Sequence, residues 1–245
     1  MKKYLRADIE HGKIDFKKWQ ERNPSKSFKD YFAETVGPKL QQNKGHASLG
    51  GNLKRKKFGE SRRNLVEKLV TLGLKPHDAC VDYGCGTLRL GLYLIAYLRP
   101  GAYWGMDVAE FLLEEGRRLI GVELLTEKQP HLRVISPQSV AEAATCKPAM
   151  LISFKVLNHV HPDELQDYVV NILEIIGTSG QAIIRGKWSG TETIQYSGRS
   201  WAHGMPLIEG LVRAKGGKIE VLHDKEAELE GLGLTTSVGM FRITR

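Results

Sequence analysis

The stretch CVDYGCGTLRLG, Cys80–Gly91, decides how the rest of the chain is read. An apolar run ends on an acid, Asp82, and three glycines then fall within eight positions before a helix-like segment begins. A strand that gives way to a side-chain-poor loop and then to a helix is a building unit of parallel α/β sheets. The loop does not suit every ligand of such sheets. Arg89 stands where G-x-G-x-x-G has its third glycine, so the close helix approach that accommodates a dinucleotide pyrophosphate is not encoded. Gly86-x-x-x-x-Gly91 matches the start of a P-loop, but Leu92 and Tyr93 occupy the positions of the Lys and Ser/Thr that hold phosphate and magnesium. Nicotinamide, flavin and nucleoside triphosphate chemistry all lose ground.

Outward from the loop, strand and helix patterns alternate. Strands are predicted near Ala79–Tyr83, Ala102–Met106, Leu132–Ile135, Met150–Phe154, Gln181–Arg185, Lys218–Leu222 and Val238–Thr244. Helices are predicted at Leu88–Leu98, Glu110–Gly121, Ser139–Ala144, Pro162–Ile176 and Pro206–Lys215. An amphipathic lead-in helix runs from Phe58 to Leu72 and is stopped by Gly73. The alternation implies a mostly parallel sheet with helices on both faces, whose ligands gather at the carboxyl ends of the strands. Asp107 lies 21 positions beyond Gly86, the length of one helix and one strand, so it returns to the same edge of the sheet as the glycine loop. A carboxylate there can accept hydrogen bonds from both hydroxyls of an adenosine ribose.

VDYGCGTLRLGLYLIAYLRPGAYWGMDVAEFLLEEGR resembles the first two motifs of class I S-adenosylmethionine-dependent methyltransferases, a D-x-G-x-G loop followed by an acid after the second strand. The likeness extends over roughly residues 72–185, with several elements agreeing in order and spacing. It implies an α/β, Rossmann-like sheet of seven strands in the order 3-2-1-4-5-7-6, the last antiparallel, with an N-terminal helical lid. It also implies S-adenosyl-L-methionine as cofactor. Asp82, Gly84 and Gly86, with Tyr83 and Cys85 in the same loop, would bound its methionine end; Asp107 would hold the ribose, and Val108 and Leu112 would lie beside the adenine. Ser136-Pro137-Gln138-Ser139 stands where the family often has an acid for the adenine amine, so that contact is not carried over.

Methyl transfer from a sulfonium asks the protein mainly to align the acceptor and, for a hydroxyl, to take its proton. SFKVLNHVHPDEL after the fourth predicted strand resembles the family's fourth motif and places His159 and His161 near the site; an imidazole titrates near neutrality and suits a general base. Lys187–Pro206 is long for a connection in such a fold and mixes Trp188, Tyr196, Trp201 and His203 with glycine and serine, as binding loops do. His159 and His203 are therefore the candidate catalytic residues, and Trp188, Tyr196, Arg199 and Trp201 the candidate acceptor contacts. No [DNS]-P-P-[YF] and no Pro-Cys follow the fourth strand, which argues against exocyclic base nitrogens and pyrimidine carbon-5 as acceptors. The ligand set of magnesium-dependent catechol-type enzymes is missing too, and His159-Val160-His161 lacks a third ligand, so no metal is expected.

Charge is unevenly spread. Residues 1–68 carry 18 Lys/Arg against 8 Asp/Glu, whereas residues 69–245 carry 18 against 20. The basic arm, densest at Lys54–Lys57, suits phosphates or an anionic substrate. The glycine-rich stretch over 43–52 reads as a hinge between that arm or lid, residues 1–57, and a methyltransferase domain over 58–245. Three cysteines without a C-x-x-C pair, and no run of membrane-span length, mark a reduced, cytoplasmic chain. The expected activity is metal-independent O-methylation of a small-molecule or sugar-containing metabolite, with an anionic acceptor favoured by the arm. An RNA or protein methyltransferase docking through the arm is the rival enzyme, with RNA not favoured. A cofactor-binding protein without transfer activity is the rival from another class.

Overall fold

The structure, a computed structural model, describes residues 2–42, 56–229 and 234–245. The hinge expected over 43–52, and Lys54 and Arg55 of the basic cluster, lie outside the described residues. The chain divides into two compact units, Phe32–Ile152 and Met1–Tyr31 with Ser153–Arg245.

The unit Phe32–Ile152 holds four parallel strands: β1 (Cys80–Tyr83), β2 (Tyr103–Asp107), β3 (His131–Val134) and the first part of β4 (Met150–Phe154). β1 pairs with β2 on one side and β4 on the other, and β2 pairs onward with β3. Every residue of β1 and β2 is buried, as expected of strands covered on both faces, whereas only Leu132 of β3 is buried, in keeping with an edge. Among the described residues the unit also has helices α3 (Gly37–Gln42), α4 (Lys56–Thr71), α5 (Gly91–Tyr97), α6 (Glu110–Ile120), α7 (Val122–Lys128) and α8 (Pro137–Thr145), with a π-helical turn over Phe32–Val36 leading into α3. Val81, Leu94, Met106, Leu113 and Leu151 form its core. Gly73 stops α4 as the sequence implies: its φ is +106°, its N–H is donated to the Val70 carbonyl, and that of Leu74 to Leu69.

In the other unit, β5 (Gln181–Ser189) pairs antiparallel with β9 (Leu234–Thr244), and β9 pairs antiparallel with β8 (Lys218–Leu229). Helices α1 (Lys2–Arg22), α2 (Phe28–Tyr31), α9 (Leu165–Ile176) and α10 (Met205–Ala214) belong here, with 3₁₀ turns at Leu157–His159 and Pro162–Glu164. The apolar stripe of α9, Leu165, Val169, Ile172, Leu173 and Ile176, is buried, as are Ile183, Ile184, Phe241 and Ile243 of the sheet.

The strands run β3-β2-β1-β4-β5 and continue through β9 and β8, which is the expected order 3-2-1-4-5-7-6 with the last strand antiparallel. The stretch expected as a long connection differs. β5 extends through Lys187 and Trp188 to Ser189, and a hairpin of β6 (Ile194–Ser197) and β7 (Ser200–Gly204) follows. β7 lies parallel to the end of β5, with Trp188 opposite His203. The aromatic residues of this stretch, Trp188, Tyr196 and Trp201, thus lie in strands, which suit aromatic side chains.

Candidate cofactor site

β1 ends at Tyr83 and the loop turns through Gly84 and Gly86, whose φ values are +84° and +56°. The amides of Gly84 and Cys85 both donate to the Met106 carbonyl, at 2.7 and 3.0 Å, which ties the loop to the end of β2. Asp107 completes the closure. Its Oδ2 accepts the Gly86 amide at 2.8 Å, and its Oδ1 accepts that of Ala109 at 3.1 Å, at the entrance to α6. Among the described residues, a side chain added at Gly86 would meet no atom within 4 Å, so this left-handed bend has the room that a backbone cradling a ligand needs.

Asp82, only 4% exposed, accepts the Tyr103 hydroxyl on Oδ2 at 2.8 Å. Burial pushes its carboxyl up to about 7; the Tyr103 hydrogen bond works against the rise and the neighbouring Asp107 charge adds to it. Burial also raises Asp107, to about 6, against the opposing hydrogen bonds from the amides of Gly86, Ala109 and Val108. The Cys85 thiol is pushed well up by burial and by Asp107 and Asp82, and so stays protonated. Tyr83 and Leu112 are buried, while Val108 is half-buried. All eight residues expected to hold the cofactor belong to one unit: Asp82 and Tyr83 end β1, Gly84, Cys85 and Gly86 form the loop, Asp107 ends β2, Val108 follows it and Leu112 lies in the first turn of α6. The Ser136–Ser139 stretch forms a capping box at the start of α8: Ser136 Oγ accepts the Ser139 amide at 3.2 Å and Ser139 Oγ accepts the Ser136 amide at 2.9 Å.

The residues expected to face the acceptor gather in the other unit. His159 is exposed, and its Nδ1 lies 3.0 Å from the Arg199 carbonyl and 3.3 Å from Ser200 Oγ. A carbonyl only accepts, so Nδ1 carries the proton of the neutral ring and Nε2 keeps its lone pair. His203 is fully buried, and its Nε2 donates to the Val160 carbonyl at 3.0 Å. Burial lowers its pKa, opposed by the Val160 and Leu157 carbonyls. Trp188 and Trp201 are also buried, Trp188 edge-on to Phe241 and Trp201 edge-on to Phe28 and His161. Tyr196 is half-buried beneath Lys187 Nζ, 4.7 Å from the ring centre, and Arg199 is exposed.

Three contributors escaped the sequence. Asn158 is buried and knits β5 to β7: its Nδ2 donates to the Lys187 and Trp201 carbonyls and its Oδ1 accepts the Lys187 amide, each at 3.1 Å. Tyr103 reads as one more aromatic in a buried strand. Gly91 reads as a loop glycine, yet an added Cβ there would lie 2.4 Å from the Tyr103 hydroxyl. The parallel register was the available signal for Tyr103, because it sets Tyr103 and Asp82 two residues apart on the same face of neighbouring strands.

No protein-family model and no curated protein matches the sequence. Solved structures do match the fold. Magnesium protoporphyrin IX methyltransferase from Synechocystis PCC 6803, solved with S-adenosylmethionine, superposes with a TM-score of 0.56 at 17% identity, over 89% of this chain and 95% of that one. Phosphoethanolamine N-methyltransferase 2 from Haemonchus contortus, solved with phosphomonomethylethanolamine and S-adenosylhomocysteine, gives 0.62 at 13% identity, over 91% of this chain and 61% of that one. The Burkholderia thailandensis 1,6-didemethyltoxoflavin N1-methyltransferase, solved with its acceptor and S-adenosylhomocysteine, gives 0.51 at 17% identity, over 87% and 91%. The fold is the Rossmann-like fold of these enzymes.

Proposed function

We propose that the chain is an S-adenosylmethionine-dependent methyltransferase that methylates an oxygen of a small molecule. The observation that carries the cofactor reading is the closure of the glycine loop by Asp107 beside the open space over Gly86. Two buried acids and a bare bend fit an adenosyl sulfonium, a ligand that has a ribose diol and an ammonium but no phosphate. The fold it shares with methyltransferases solved with this cofactor or its demethylated product supports the same reading. A small-molecule acceptor is favoured because the acceptors named for those relatives, a porphyrin, a toxoflavin precursor and a phosphoethanolamine, are all small.

Bound S-adenosylmethionine supplies an activated methyl group. Asp107 would hold its ribose, Asp82 and the Gly84–Gly86 backbone would bound its methionyl end, and Val108 and Leu112 would lie beside its adenine. The Arg199 carbonyl fixes the His159 ring through Nδ1, which leaves Nε2 to take the proton of a hydroxyl acceptor. His203, buried and bonded to the Val160 carbonyl, holds the turn that carries His159. Tyr196 and the exposed Arg199 are the acceptor contacts, Arg199 for an anionic group, while Trp188 and Trp201 support them from the core. Incubation with methyl-labelled cofactor and separate pools of metabolites, RNA and protein tests this. Label in the metabolite pool, in products stable to mild base as methyl ethers are, is expected; label confined to RNA or protein, or none in any pool, would count against it.

A further inference from the structure

The parallel register of β1 and β2 pairs Cys80 with Tyr103 and Asp82 with Gly105, so Tyr103 and Asp82 share a face and the position opposite Asp82 has no side chain. That gap lets the Tyr103 ring pass: a Cβ at Gly105 would lie 3.0 Å from its Cε1. Gly91 clears the far end, where a Cβ would stand 2.4 Å from the hydroxyl. Two glycines thus make room for one phenol, itself 2% exposed, to donate to Asp82 Oδ2. The hydroxyl occupies one carboxylate oxygen and leaves Oδ1 for another donor.

We propose that Tyr103 is a positioning residue of the cofactor site, holding the Asp82 carboxylate so that it takes the α-ammonium at the methionyl end, and that protonation of Asp82 weakens that end alone. The inference rests on the S-adenosylmethionine reading above. Burial makes Asp82 readily protonated near neutrality, and the Tyr103 bond favours its ionised form. The titratable groups facing it are Tyr103 and Asp107 from β2, Cys80 from β1 and Cys85 from the loop. β4 places the apolar Ile152 opposite it. Asp107 also titrates, but it serves the ribose. A ligand without the amino acid end therefore separates the two acids.

The test is calorimetry of the full chain between pH 5.5 and 8 with S-adenosylhomocysteine and with 5′-methylthioadenosine, which has the same nucleoside and no amino acid. Below about pH 7, wild-type affinity for S-adenosylhomocysteine is expected to fall, relative to methylthioadenosine, toward tenfold per pH unit. In Tyr103→Phe the relative fall begins at higher pH, giving several-fold weaker S-adenosylhomocysteine binding at pH 7.5 with methylthioadenosine unchanged. Asp82→Asn, which leaves the phenol intact, is expected to flatten the relative profile. Superimposed wild-type and Tyr103→Phe profiles, or equal weakening of both ligands, would overturn the role of Tyr103 while leaving the cofactor reading in place. Failure of wild type to bind either ligand would overturn the cofactor reading and this inference with it.

Discussion

Asp107 reaches back 21 positions to take the Gly86 amide on Oδ2 at 2.8 Å, so the end of β2 fixes the bend that follows β1. The amide of Gly86 is therefore protected by a side chain and not by a strand ladder. Replacing Asp107 with Ala removes the acceptor of the Gly86 amide together with that of the Ala109 amide at the entrance to α6. Hydrogen exchange is expected to speed up at the Gly86 amide by about tenfold or more, with little change at Val81 or Met106 in the ladder. Exchange unchanged at Gly86 would mean that the loop is held by other contacts.

Gly91 and Tyr103 should be energetically coupled. Gly91→Ala places a methyl 2.4 Å from the Tyr103 hydroxyl and is expected to cost about 1–3 kcal/mol by crowding. Tyr103→Phe removes the hydroxyl, so the same methyl should cost less in that background, as urea denaturation of the two single variants and the double variant would show. Simple additivity would contradict the packing described.

Asp82 gives stability a dependence on pH whose sign can be worked out. Unfolded, its carboxyl titrates near 4; folded, at about 7. Between these values the native state holds a proton that the unfolded chain has lost, so this group's contribution falls as pH rises from about 4 to about 7 and then levels off. Asp107 acts in the same direction up to about 6. Asp82→Asn is thus expected to be more stable than wild type at pH 7.5, by on the order of 1–3 kcal/mol, with the difference shrinking toward pH 4. A variant less stable at pH 7.5 than at pH 5, relative to wild type, would contradict this.

The two candidate histidines should separate cleanly. His203 is fully buried, and His203→Ala leaves a cavity and an unpaired Val160 carbonyl, at a cost of about 2–4 kcal/mol. Its lowered pKa adds stability that is present above about 6.5 and is lost as pH falls below that, and His203→Gln should blunt this acid sensitivity. His159→Gln, at an exposed position, should shift stability by less than about 0.5 kcal/mol yet lower turnover of a hydroxyl acceptor by about 10²–10⁴-fold. Thermal melts over pH and a transfer assay read both.

The meeting of the glycine loop with Asp107 was legible because its signals are local. Asp82, Gly84 and Gly86 lie within five positions, and the distance to Asp107 is one helix and one strand. What escaped depends on register and burial. Nothing adjacent to Tyr103 announces that its hydroxyl meets Asp82, and Gly91 does not reveal that its missing side chain serves a residue twelve positions on. The hairpin of Ile194–Ser197 and Ser200–Gly204 was hidden because Gly198 and Arg199, a two-residue turn, sit among residues that also suit a binding loop. For the same reason Trp188 and Trp201 read as acceptor contacts and His203 as a catalytic candidate, whereas strand pairing buries all three.

Titration of S-adenosylhomocysteine into folded wild-type chain and into Asp107→Ala at pH 7.5 bears most directly on the central claim. One site per chain is expected for wild type, weakened at least about tenfold in the variant through loss of the ribose acceptor. No heat from wild type that is shown to be folded, or the same affinity in both, would contradict it.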